Sequence, residues 1–142
     1  MSETATVLHA TSVAVGGRVI LLMGASGSGK SDLALRLIDR GATLVSDDYT
    51  ALTLMDGLLH AAPPPAIAGK MEVRHLGIIT LPHLHNLPVA LAIRLDDKPE
   101  RMPDRSECTA IMGIAIPILR LDAREASAPI KAEMALHGLE PR

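Results

Sequence analysis

Eight residues, GASGSGKS at 24–31, restrict what this chain can fold into more than any other stretch. Gly24, Gly27 and Gly29 let backbone N–H groups turn inward and approach an anion closely. The spacing Gly24-x-x-x-x-Gly29-Lys30-Ser31 is that of a phosphate-binding loop. Such a loop needs a strand before it and a helix after it, because the positive end of the helix dipole completes the cradle. Both flanks are present. Residues 18–23, RVILLM, form a short apolar run that reads as a buried strand. Residues 31–41, SDLALRLIDRG, place Leu33, Leu37 and Ile38 at helical spacing, with Ala34 and Leu35 widening the apolar face and Gly41 available as the stop. Residues 42–48, ATLVSDD, make a second short strand that ends in two acids. Strand, loop, helix and strand in that order begin a βαβ-type unit.

The loop predicts its ligand. Gly24, Ala25, Ser26, Gly27, Ser28, Gly29, Lys30 and Ser31 are the expected nucleotide-binding residues. Lys30 reaches the outer phosphates, and the Ser31 hydroxyl is placed for Mg2+, so ATP and Mg2+ are the expected cofactors. Asp47 and Asp48 follow the second strand, seventeen and eighteen residues beyond Lys30. An acid there can hold the metal, directly or through water. Neighbouring strand residues point opposite ways, so the two acids are expected to differ: one helps the metal, the other faces the substrate as general base.

Downstream, Asp56-Gly57 between YTALTL and LLHA marks a hairpin turn. APPPA at 62–66 reads as a rigid connector, and GIITL and PVALAIRL read as strands. DDKPERMPDRSE at 96–107 is polar and broken by prolines, so a mobile loop is expected. IAIPILRL at 114–121 reads as a strand near a sheet edge, because Pro117 cannot donate to a ladder. A last helix follows, with Ser127 as N-cap, Pro129 in the first turn and Gly138 past its end.

Composition removes several classes of function. Phe and Trp are absent and Tyr49 is the one aromatic, so a single-stranded nucleic-acid platform that stacks bases on rings is not expected. The formal net charge is -2, with no basic stripe for nucleic acid or an anionic membrane. Cys108 is the one cysteine, which fits a reducing compartment. The chain has no secretory signal pattern and no apolar run long enough to span a bilayer. A soluble cytoplasmic protein is therefore expected, with all 142 residues in a single domain. Cys108 reads as a buried core thiol and the seven methionines as core filling. His83 and His85 read as a solvated loop edge rather than metal ligands, since no third ligand is evident.

Three stretches together, GASGSGKSD, LIDRGATLVSDD and MEVRHLGII, resemble the catalytic C-terminal domain of the HPr kinase/phosphorylase family. The likeness runs from about His9 to about residue 125. Its pattern has E-V-R-G-x-G-I-I where this chain has Glu72, Val73, Arg74, His75, Leu76, Gly77, Ile78 and Ile79, so His75 stands in place of a glycine. The resemblance implies an α/β fold, a P-loop-containing mixed sheet with flanking helices. It implies an ATP-dependent serine kinase, and in reverse a phosphorylase, acting on an HPr-like phosphocarrier protein, with inorganic phosphate and pyrophosphate as further reactants. It also implies a homohexamer. By the same resemblance His9, on the strand before the phosphate loop, belongs to the active site with Lys30. Asp48 is the proton acceptor, and the proton donor in reverse. Ser31, Asp47 and Glu72 hold the metal, and Arg105 stabilises the transferred phosphoryl group. A later loop used in dephosphorylation falls near RLDARE, leaving Arg120 and Arg124 as alternatives. Compared with longer members, the 142 residues hold neither a separate N-terminal domain nor the further C-terminal helix. Two other readings fit the phosphate loop: a kinase of a small molecule, and a nucleotide-binding regulator without transfer chemistry.

Overall fold

The computed structural model describes residues 4–104 and 106–139. The strand, helix and strand around the glycine loop form in the expected order: β3 (Arg18–Met23), then α1 (Lys30–Asp39), then β4 (Thr43–Ser46). Gly41, at φ 113°, closes α1. Its N–H bonds to the Ile38 carbonyl and the Ala42 N–H to the Leu37 carbonyl, both at 3.0 Å, the paired arrangement that ends many helices.

The unit is not a simple βαβ, however. The segment after His9, which only the resemblance places on a strand, forms β2 (Thr11–Val15); it lies between β3 and β4 and runs antiparallel to both. Its apolar alternation is faint because both of its polar residues, Thr11 and Ser12, are fully buried. Helix α1 therefore crosses over β2. On the far side of β3 lies β9 (Leu87–Leu95), parallel to it. The expected hairpin is also present, β5 (Thr50–Met55) with β6 (Leu58–Ala62), turning through Asp56 and Gly57, both at positive φ. With β1 (Thr4–Leu8) outside β5, the main sheet runs β1-β5-β6-β9-β3-β2-β4.

β9 meets β6 only through its first two residues, and β11 (Ile114–Leu121) takes its other end in parallel. β11 in turn pairs with β10 (Cys108–Ile111). The Ile118 N–H bonds to the Glu107 carbonyl at 3.1 Å. Pro117, opposite Cys108, thus falls at a position that needs no bond to β10.

Alternation along β3 divides the core. Ile20 and Leu22 face α1 and α2 (Ala128–His137), in a cluster with Leu33, Leu37, Leu91, Ile93, Ala132 and Leu136. Val19 and Leu21 face the opposite way, onto Val45, Leu52, Leu59, Ala92, Ile116 and Ile118. Both helices thus lie on one face, and strands cover the other face as the sheet curls. Each large aliphatic side chain fully buried contributes roughly 1.5–3 kcal/mol, so a core without Phe or Trp is adequate.

Three local expectations change. The side chain of Ser127 makes no capping bond to α2. Cys108 is exposed at the start of β10. Of the methionines, Met71 is buried, whereas Met102 and Met134 are exposed. Burial depends on which strand or loop carries a residue, and apolar character alone misplaces it. Neither ten-residue helix is long and apolar enough to cross a membrane.

Candidate functional site

The phosphate loop leaves β3 and enters α1 through three glycines at positive φ: Gly24 (153°), Gly27 (82°) and Gly29 (100°). Two are also constrained by space. A Cβ at Gly24 would stand 2.6 Å from Ser28 Oγ, and one at Gly29 would stand 3.0 Å from Ala123 Cβ. The Lys30 side chain is buried, and its Nζ donates to the carbonyls of Gly24 (2.8 Å) and Ala25 (3.0 Å). Ser28 Oγ is buried without a protein partner. An orphaned hydroxyl, a buried cation and a glycine cradle at a helix N-terminus fit phosphate oxygens.

Beside the loop is a buried polar cluster. Among the described residues, the buried polar side chains are Thr11, Ser12, Lys30, Ser46, Asp47 and Thr50, drawn from β2, α1 and the two ends of the β4–β5 link. Asp47 is its centre. Its Oδ1 accepts from Ser31 Oγ (2.6 Å) and Thr11 Oγ1 (3.3 Å), and its Oδ2 accepts from the Glu72 N–H (3.1 Å). That last bond docks β7 (Lys70–Val73) against the site. β7 and β8 (Gly77–Thr80) form a separate two-stranded sheet, whose turn puts His75 at φ 74°. The left-handed conformation there is the physical reason a glycine suits that position. The Glu72 side chain itself is exposed.

Asp48 is placed differently. It has φ 68°, and the Tyr49 N–H reaches back to the Asp47 carbonyl at 2.7 Å, closing a three-residue γ-turn. The Asp48 N–H donates to Thr11 Oγ1 at 3.0 Å, and the Ser46 hydroxyl holds the Tyr49 carbonyl. This turn swings the Asp48 carboxylate outward, where Oδ1 lies 2.9 Å from His9 Nε2. His9 sits at the bend between β1 and β2, two strands ahead of the loop rather than on the strand that enters it. Its ring leans on that of Tyr49, centroids 5.2 Å apart.

The expected set is thus mostly brought together. Lys30, Ser31 and Asp47 form the floor, Asp48 and His9 form a rim, and Glu72 stands at the edge. Arg105 lies outside the described residues. Of the two later arginines, Arg120 pairs with Glu107 on the exposed sheet edge (3.3 Å), whereas Arg124 lines a cavity beside the phosphate loop. His83 is exposed; its backbone bridges to Leu44 and its ring stands against Gly69. Among the described residues no three His, Cys, Asp or Glu side chains form a metal cluster. The oxygen donors at Ser31 and Asp47 instead suit a hard cation that also takes phosphate and water ligands. Thr11 was not legible as a site residue; its one signal is a hydroxyl where an apolar strand residue is expected.

Known proteins resemble this chain in sequence and in fold. The family model described as the HPr Serine kinase C-terminal domain matches residues 1–131. An HPr kinase/phosphorylase of Clostridium novyi is 37% identical over 134 residues, covering 89% of this chain and 43% of that protein. One from Clostridium tetani is 45% identical over 89 residues, covering 63% and 29%. The chain thus spans less than half the length of these curated relatives. The solved structure of the Hpr(Ser) kinase/phosphatase from Coxiella burnetii superposes with a TM-score of 0.80 at 26% identity, covering 93% of this chain and 88% of that one.

Proposed function

This chain belongs to the HPr serine kinase C-terminal domain family, and on that footing we propose that it transfers a phosphoryl group from ATP to a serine hydroxyl of an HPr-like phosphocarrier protein, and runs the reverse with inorganic phosphate. The observation that carries the reading is the division of the acidic doublet into a buried, fully bonded Asp47 beside Ser31 and an exposed Asp48 paired with His9.

The loop 24–31 binds the triphosphate through its backbone N–H groups and the unpartnered Ser28 hydroxyl. Lys30 exchanges its contacts with the Gly24 and Ala25 carbonyls for phosphate oxygens. Ser31 and Asp47 are the residues that would hold Mg2+, with Glu72 reaching in from β7. That ion supplies charge neutralisation on the outer phosphates when bound. Asp48 accepts the proton of the incoming serine hydroxyl, and His9 holds the carboxylate in place at 2.9 Å. In reverse, Asp48 returns a proton to the leaving serine as phosphate takes the phosphoryl group and pyrophosphate forms. Arg105 keeps the role of stabilising charge on the transferred group, and a homohexamer in the cytoplasm is the assembly the family suggests.

The test is to incubate the protein with ATP, Mg2+ and an HPr-like carrier and search for phosphoserine by mass spectrometry, then to add phosphate and follow its loss. Label appearing on a metabolite panel instead would assign a small-molecule kinase, and ATP binding without any product would assign a regulator.

A further inference from the structure

A cavity of about 490 Å3 opens beside the glycine loop, walled by Ala25, Gly27, Ser28 and Gly29 with Asp32, by residues 94–97 at the end of β9, and by the segment around Arg124. Its size falls in the range of about 300–1,000 Å3 usual for small-molecule sites. Tyr49 is the one Phe, Tyr or Trp side chain of the sequence, its ring is committed to His9 at the transfer end, and among the described residues no histidine lines the cavity. A nucleobase in this cavity therefore has no aromatic face to stack on.

Arg124 offers another flat surface. Its Nε and Nη2 donate to the two carboxylate oxygens of Asp122, at 3.0 and 2.9 Å, and its own backbone N–H adds a third bond to the same carboxylate at 2.9 Å. A guanidinium held at two nitrogens is fixed in plane. The hydrogen bonds from Arg124 also hold the Asp122 carboxyl below its ordinary range. Three-quarters of the Arg124 side chain remains exposed, so its face is free. The segment is seated against the loop at the Gly29–Ala123 contact and is tied to α1 by Arg36, which donates to the carbonyls of Ala123 and Glu125. A nucleoside joined to a phosphate on the loop has this surface within reach.

We propose that the cavity is the nucleoside subsite and that the Arg124 guanidinium, locked by Asp122, is the platform on which the base stacks. Planar guanidinium groups stack on aromatic rings and lysine ammonium groups do not, so the subsite favours purines, whose stacking area is larger. This rests on the phosphate-loop reading, and the experiment separates the two. Binding of ATP, CTP and tripolyphosphate is measured by calorimetry with Mg2+ for the unmodified chain, Arg124→Ala, Arg124→Lys and Asp122→Asn. Base stacking on a side chain is worth enough that its loss weakens binding about tenfold. Arg124→Ala is expected to weaken ATP by about that factor, to reduce its advantage over CTP, and to leave tripolyphosphate within about twofold. Arg124→Lys should lose nearly as much as alanine despite keeping the charge, and Asp122→Asn should lose part of it. An equal loss for ATP and tripolyphosphate, or full rescue by lysine, would reduce Arg124 to a simple charge and overturn the platform. Tripolyphosphate binding as tightly as ATP in the unmodified chain removes the subsite alone. Failure of both ligands to bind removes the phosphate loop's role and the subsite with it.

Discussion

Asp47 and Asp48 are adjacent in sequence and belong to different regions of the site. In the floor, Asp47 and Thr11 are buried and Ser31 half-buried, and both carboxylate oxygens of Asp47 have donors. The rim, Asp48 with His9 and Tyr49, is open to solvent, built on a left-handed residue and closed by one contact between side chains thirty-nine positions apart. The floor resembles a finished core: removing Asp47 leaves the Ser31 hydroxyl and the Glu72 N–H without their acceptor. The rim spends conformational energy to hold a carboxylate out where an acceptor can meet it. One doublet thus yields an enclosed carboxylate and an exposed one, with the γ-turn between them as the dividing device.

The largest effect should come from the rim. Asp48→Asn keeps the shape and removes the base, so transfer is expected to fall about 10²–10⁴-fold while calorimetric ATP affinity stays within about twofold. Retention of near-normal transfer to the carrier would mean that the rim carboxylate is not the proton acceptor. The floor should respond the other way. Asp47→Ala strands Ser31 Oγ, Thr11 Oγ1 and the Glu72 N–H, at about 1–3 kcal/mol for each buried unsatisfied group. Solvent can reach part of the gap, so a net loss of about 3 kcal/mol in urea unfolding is expected. A stability equal to that of the parent would show the two regions to be alike.

A smaller change sharpens the contrast further. Asp48→Gly relieves the positive φ and should raise stability, or leave it level, by at most about 1 kcal/mol, although it abolishes transfer. Stability and activity then move in opposite directions at one residue, which a melt and an assay on the same sample will show. His75→Gly, at φ 74° in the β7–β8 turn, should give a similar gain of about 0.5–1 kcal/mol with little change in transfer. A loss of transfer instead would assign the imidazole a part in catalysis.

Much of this was legible because some residues report on their own surroundings. Glycines at 24, 27 and 29 announce a loop wherever they occur together, and Leu33 and Leu37 mark one face of a helix regardless of what covers it. Asp56-Gly57 predicts its own turn. Other features depend on partners far along the chain. β1 and β2 carry threonines and serines, so their alternation is faint, and the inward Thr11 and Ser12 make sense only once Asp47 and Thr50 are opposite them. The meeting of Tyr49 with His9 and the exposure of Cys108 have no local signature at all. The γ-turn was concealed because strand alternation predicts opposite directions for Asp47 and Asp48 by the wrong route: the chain has already left the strand at Ser46.

Helix α1 has a consequence beyond its place in the core. Its first residues lead out of the phosphate cradle, its Arg36 grips the carbonyls of Ala123 and Glu125, and Arg40 just past its end clasps Glu133 of α2 at 2.7 Å. One short rod therefore sets the spacing between the glycine loop and the Arg124 segment, the proposed phosphate and base ends of a bound nucleotide, much as a gauge block sets a gap. Ligands with one phosphate fewer or more would be measured against that fixed length.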